Sequence, residues 1–191
     1  MSYGKKVLAY TAVLVVLLAA TGCSGGGDGR GKVDEAVSMI SSSRPLLEDL
    51  LELVERFDTL GTRYSQVEET IAEGKSLAEM ALVDVDELES RYTKAGDLLR
   101  QVMETEGGKY AEYARLALEA VEIELEAFSR NRELLSTVTD MLDVLPMAES
   151  TEQLSFYVDE IDRLTDEIRD LLQKGSRAAE EADAYYRSAG L

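Results

Sequence analysis

The sequence predicts an all-α chain, folded as an antiparallel up-down-up-down four-helix bundle with long coiled-coil-like helices. Three observations carry that expectation. From Val33 onward the apolar residues recur at alternating spacings of three and four, the mark of a helix with one buried face. No stretch of useful length alternates with period two, so no sheet is expected. The interruptions at 74–76, 107–108 and 146–150 are short, and short connections turn neighbouring helices antiparallel.

The first segment runs through Val33, Val37, Ile40, Leu47, Leu51 and Val54, then Phe57, Leu60, Tyr64, Val67 and Ile71. Ser41-Ser42-Ser43-Arg44-Pro45 should break or kink it, because proline cannot accommodate the carbonyl four residues earlier. Gly74 and the capping box Ser76-x-x-Glu79 mark a stop and a fresh start. The second segment follows Leu77, Ala81, Leu88, Tyr92, Ala95, Leu99 and Val102, and stops at Gly107-Gly108. Val83-Asp84-Val85-Asp86 is a candidate interruption within it, with Asp86-x-x-Glu89 able to recap. The third takes Tyr110, Ala114, Ala117, Val121, Leu125, Phe128, Leu135, Val138, Leu142 and Leu145, ending at Pro146. Ser150-x-x-Gln153 opens the fourth, with Leu154, Val158, Ile161, Leu164, Ile168, Leu172, Ala179, Ala182 and Tyr186 on its stripe. At 1.5 Å per residue these segments make rods of about 45 to 58 Å.

Composition removes much chemistry. The 191 residues hold no His and a single Cys, at position 23. A histidine general base, a His-ligated metal and an internal disulfide are therefore excluded. With 38 acidic against 20 basic side chains, the net charge is −18. Nucleic acid is not an expected partner, since binding phosphate rests on clustered Lys and Arg.

The first residues carry an address. Lys5 and Lys6 precede Val7–Ala20, an uncharged apolar run short for a spanning helix and suited to a secretory leader. It leads through Ala19-Ala20-Thr21-Gly22 directly to Cys23. Over residues 1–23 the chain resembles a bacterial lipoprotein precursor, whose lipobox sets small residues before a lipidated Cys. The resemblance implies cleavage between Gly22 and Cys23, a diacylglyceryl group on Cys23, acylation such as palmitate at the new amino terminus, and an extracytoplasmic place on the cell or outer membrane. Several acyl chains, at about 0.8 kcal/mol per buried methylene, hold a protein firmly. The expected organisation is thus a signal peptide over 1–22, the lipidated Cys with a Gly-rich tether over 23–31, and a helical bundle domain over 32–191. The tether stretch 24–31 contains five glycines and would span about 16 Å as a coil. Cleavage removes two lysines and leaves a body of charge −20, so lipid and not protein surface should do the holding.

The topology places the start of the first helix, the 107–108 turn and the C-terminus near the lipid, with 74–76 and 146–150 at the far tip. The near half of helices three and four is rich in Ala and Tyr, which permits close helix approach. Tyr64, Tyr92, Tyr110, Tyr113, Tyr157, Tyr185 and Tyr186 are the candidates for a ligand groove, against packing alone. Gly61, Gly96 and Gly175 fall at or beside core positions, where they mark tight crossings or, with Ala120, a cavity. Leu145 and Met147 make the third connection apolar and are the candidate partner tip. The rows Glu119, Glu122, Glu126 and Asp159, Asp162, Asp166, Asp170 read as solvated faces, with pairs such as Asp159–Arg163 and Glu126–Arg130 at helical spacing. No catalytic group, metal site or cofactor is expected. The leading expectation is a non-enzymatic, lipid-anchored scaffold or protein-interaction module contacting an envelope protein. The alternative is a helical module binding a small ligand or cation. Long heptad-like stripes also permit a homodimer.

Overall fold

A computed structural model describes residues 28–60, 67–148 and 150–191. Among them the chain is helical, without strands. It forms α1 (Asp28–Ser41), α2 (Arg44–Leu60), α3 (Val67–Thr105), α4 (Gly108–Val144) and α5 (Ser155–Ala189), with short 3-10 turns at Leu145–Met147 and Thr151–Leu154.

The break expected near Pro45 is present. Ser42 and Ser43 form a turn in which both hydroxyls donate to the Met39 carbonyl at 2.9 Å. Pro45 then sits in the first turn of α2, where its missing N–H costs nothing. The Ser42 carbonyl accepts from Arg91 of α3 at 2.8 Å, so the break is pinned to the next helix.

Two other expectations require correction. The stop at 74–76 is absent, because α3 runs unbroken from Val67 to Thr105, through Gly74-Lys75-Ser76 and through Val83–Asp86. Its stripe explains this: Ala78, Ala81, Val85, Leu88, Tyr92, Ala95, Leu99 and Val102 are all buried, an uninterrupted heptad spacing, with Leu77 buried beside it. Each such side chain contributes on the order of 1–3 kcal/mol, whereas a capping box contributes about 1. The tether also ends early, since Asp28-Gly29-Arg30-Gly31 already form the first turn of α1. Residues 24–27 of that tether lie outside the described residues.

The turn between α3 and α4 is where the sequence puts it. Gly107 is extended and Gly108 has φ +65°, a left-handed value that favours glycine. After α4, Leu145-Pro146-Met147 tightens into a 3-10 turn. Ser150 precedes a second 3-10 turn that contains Gln153, so the last helix starts at Ser155 and not at the Ser150 box.

Helix pairing follows chain order. α1 and α2 pack on α3, α3 on α4, and α4 on α5. Along the α3–α4 seam, Lys75 pairs with Asp143, Arg132 with Asp86 and Glu89, Tyr92 with Phe128, and Arg100 with Glu122. Because α4 has helices on both sides, it buries residues around much of its circumference, from Tyr113, Ala114, Leu116 and Ala117 to Ala127 and Phe128. α5 leans chiefly on α4 and buries a narrow row, Leu164, Ile168, Gly175, Ala179 and Ala182. The main core runs from Val33 through Val121 and Phe128 to Ala182, and a smaller cluster gathers Leu53, Leu77 and Ala81.

Candidate functional site

The helices distribute the candidate tyrosines over separate places, not into one groove. Gly22, Cys23 and Tyr64 lie outside the described residues. At the end holding the α3–α4 turn, Tyr113 is buried and meets Tyr186 edge-on at 5.1 Å. Tyr110 and Tyr185 pack half-buried against the same core. Burial pushes the Tyr113 hydroxyl up, with Tyr186, Asp183 and Asp34 adding to the effect. Burial likewise raises Tyr186, as does Asp34, while Arg30 opposes. These contacts bring α1, α4 and α5 together at that end. Lys109 completes it, donating to the Ala189 and Gly190 carbonyls at 3.4 and 3.3 Å, a cation at a helix C-terminus. Here four tyrosines pack as core and rim, with their rings against other side chains.

Tyr92 lies at a different height. Its ring stands edge-on to Phe128 at 5.0 Å, and its hydroxyl donates to the carboxylate of Glu124. Glu124 as a residue keeps some exposure, yet its carboxyl end lies inside the packed helices. Burial pushes that carboxyl up to about 7, against the hydrogen bond from Tyr92, which pulls it down. Gly175 of α5 supplies the room: a Cβ there would stand 3.2 Å from the Glu124 Cγ and 3.6 Å from the Ile123 Cγ2. Gly96 is the matching close approach on α3, its absent Cβ facing Val121 and Leu118 at 3.4 and 3.5 Å. The cavity considered around Gly96, Gly175 and Ala120 is therefore filled by side chains of α4, and the glycines serve tight crossings. Gly61 lies outside the described residues. Sequence reasoning passed over Glu124, although the signal was there. It falls three residues after Val121 and four before Phe128, on the stripe itself.

The acidic rows face solvent, and some pairings differ from those expected. Arg163 pairs with Glu160 and Glu167 in place of Asp159. Arg130 pairs with Glu133 and reaches Glu167 across the helix interface at 3.5 Å, in place of Glu126. Among the described residues no group of three His, Cys, Asp or Glu side chains is placed to hold a metal ion.

The apolar connection is the remaining candidate, and it is larger than Leu145 and Met147 alone. Met147 is 74% exposed, and Phe156 in the first turn of α5 is 70% exposed. The Phe156 ring meets Tyr157 edge-on at 5.6 Å, which places Tyr157 here and not with the other tyrosines. Leu145 is half-buried. Large apolar side chains at such exposure are the ones a partner surface would cover. Among the described residues no helix is long and apolar enough to cross a membrane.

Comparison with protein-family models, with curated proteins and with solved structures finds no match to this chain.

Proposed function

We propose that this chain is a lipid-anchored lipoprotein of the cell envelope, held through Cys23, that acts as a non-enzymatic protein-interaction or scaffold module. The observation that carries the interaction reading is the exposure of Met147 on the connection between α4 and α5 and of Phe156 in the first turn of α5. An up-down-up-down antiparallel course supports placing that tip far from the lipid. The contacts along the α3–α4 seam pair low numbers with high ones. At the other end Gly29 abuts Glu106, and Lys109 reaches Gly190, so the chain enters beside the α3–α4 turn and the C-terminus. With α4 at 37 residues, the tip stands about 55 Å from that end. The lipobox at 19–23 and the Gly-rich stretch after it support the anchor.

Metabolic labelling with a clickable palmitate, followed by crosslinking pull-down from intact envelopes, tests both halves. Wild type should carry label that Cys23→Ser loses, and it should capture an envelope protein that Met147→Asp and Phe156→Asp release. Absence of label on the wild-type chain overturns the anchor. Undiminished capture by both tip variants overturns the tip.

A further inference from the structure

A second surface lies on the flank of the molecule, between α2 and α3. The floor of an open groove of about 370 Å³ is apolar: Leu53 of α2, with Met80 and Val83 of α3, the last two 50% and 68% exposed. Its walls are acidic, with Asp49 and Glu52 on α2 and Asp84 on α3. Arg56 also lines it and is drawn toward Glu73 at 3.9 Å. α2 packs mainly on α3, while α5 leans on α4, so among the described residues no helix covers this flank. Val83 points outward because Val85, two residues on, occupies the buried stripe.

We propose that this groove docks a cationic amphipathic helix of a partner protein, its apolar face on Met80, Val83 and Leu53 and its Lys or Arg side chains against Asp49, Glu52 and Asp84. The proposal rests on the interaction reading above and gives the chemistry of a partner, at a surface other than the tip. Three arguments select this occupant. Positions 49, 52, 53 and 56 against 80, 83 and 84 present two facing stripes at helical spacing, about 10 Å long on α2 and about 6 Å on α3, which suits the i, i+3, i+4 anchors of a helix laid in a groove. The floor is too open to enclose a small molecule, whose sites bury most of the ligand. The walls carry one dominant sign within a strongly acidic chain, so a basic segment is both steered toward them and complementary at contact. The Asp84 carboxyl supports the last point: burial, then the charge of Asp49, raises it above its ordinary value. A cation seated between the two carboxylates relieves that repulsion.

The probe is a fluorescein-labelled Leu/Lys peptide of about 18 residues with one apolar face, measured by anisotropy against the full-length lipidated protein in maltoside micelles. A benzophenone on its apolar face maps the contact by mass spectrometry. Wild type should bind it, crosslink at Met80 or Val83, and bind more weakly as salt rises. The double variant Met80→Ser/Val83→Ser and the double variant Asp49→Asn/Asp84→Asn should each weaken binding about tenfold or more. The Asn pair should also flatten the salt dependence, while Met147→Asp leaves binding unchanged. All four groove substitutions are at side chains that keep solvent contact, and circular dichroism of each variant verifies the fold. Equal binding by the groove variants, or by a scrambled peptide of the same composition, overturns the proposal in favour of general attraction to the negative surface. Variant-sensitive binding of dodecyltrimethylammonium without binding of the peptide makes it a small-ligand site and overturns it as well. So does a homodimer that Met80→Ser/Val83→Ser dissolves, because the occupant is then a second copy. Failure here with palmitate label and tip-dependent capture intact refutes the groove alone. Loss of label and capture with peptide binding intact refutes the scaffold reading alone.

Discussion

Replacing Glu124 with Gln should change the pH dependence of stability more than stability itself. Gln keeps the shape that Gly175 accommodates and still accepts from the Tyr92 hydroxyl, but it cannot ionise. The carboxyl of Glu124 ionises near its ordinary 4.5 in the unfolded chain and at about 7 in the folded one. Below 4.5 both are neutral and the group leaves stability unaffected. As pH rises through 4.5 the unfolded chain gains by ionising, and stability falls until the folded carboxyl also ionises near 7. The full loss is on the order of 3 kcal/mol, most of it between pH 5 and pH 8. The residue's remaining exposure brings that share toward about 2. Urea unfolding followed by circular dichroism at 222 nm, at pH 5, 6, 7 and 8, gives the comparison. The stability advantage of Glu124→Gln over wild type should grow by about 2 kcal/mol from pH 5 to pH 8. The repulsion from the chain's net charge of −18 is common to both proteins and drops out of the difference. Parallel pH profiles would refute the burial of this carboxyl.

Three further outcomes follow from the packing. Leu88→Ala removes a fully buried side chain from the α3 stripe and should cost about 2–5 kcal/mol in the same urea assay; a cost below 1 would contradict its place in the core. Gly96→Ala meets its neighbours at ordinary contact distances and should gain up to about 1 kcal/mol from helix propensity. Gly175→Ala presses on Glu124 at 3.2 Å and should gain less or lose stability, so the reverse order of the two would refute the tight α4–α5 crossing. Met147→Asp, at an exposed position, should leave the urea midpoint within about 0.5 kcal/mol of wild type, and a larger loss would mean the tip is packed core.

The stripe positions Leu88, Tyr92, Ala95, Leu99 and Val102 were legible because heptad spacing states which face of a helix is hidden, whereas Val85, read as part of an interruption, is buried on the same stripe. So was the break at Ser42-Ser43-Arg44-Pro45, since proline's missing N–H forbids a helix interior whatever the surroundings. The glycine pair at 107–108 was legible for the same local reason, one of them adopting a left-handed φ. Gly74 and Ser76-x-x-Glu79 misled. Those signals are as local as the proline, but they are weak enough for burial of Ile71 before Gly74 and of Leu77 and Ala81 after it to override them.

By itself, then, the sequence determined helix content, much of the buried stripe of α3, α4 and α5, the chain breaks near Pro45, Gly107-Gly108 and Pro146, and the acidic surface. These depend on backbone chemistry and on periodicity within one segment. Only the tertiary structure decided that Tyr113 and Tyr186 meet edge-on while Tyr92 turns to Glu124 and Tyr157 to Phe156, that Gly175 makes room for a carboxyl, and that Met80 and Val83 floor an open flank. Periodicity records that a face is covered and carries no label for the helix that covers it. That choice is made by the summed packing of whole helices against one another, where no single residue holds the information.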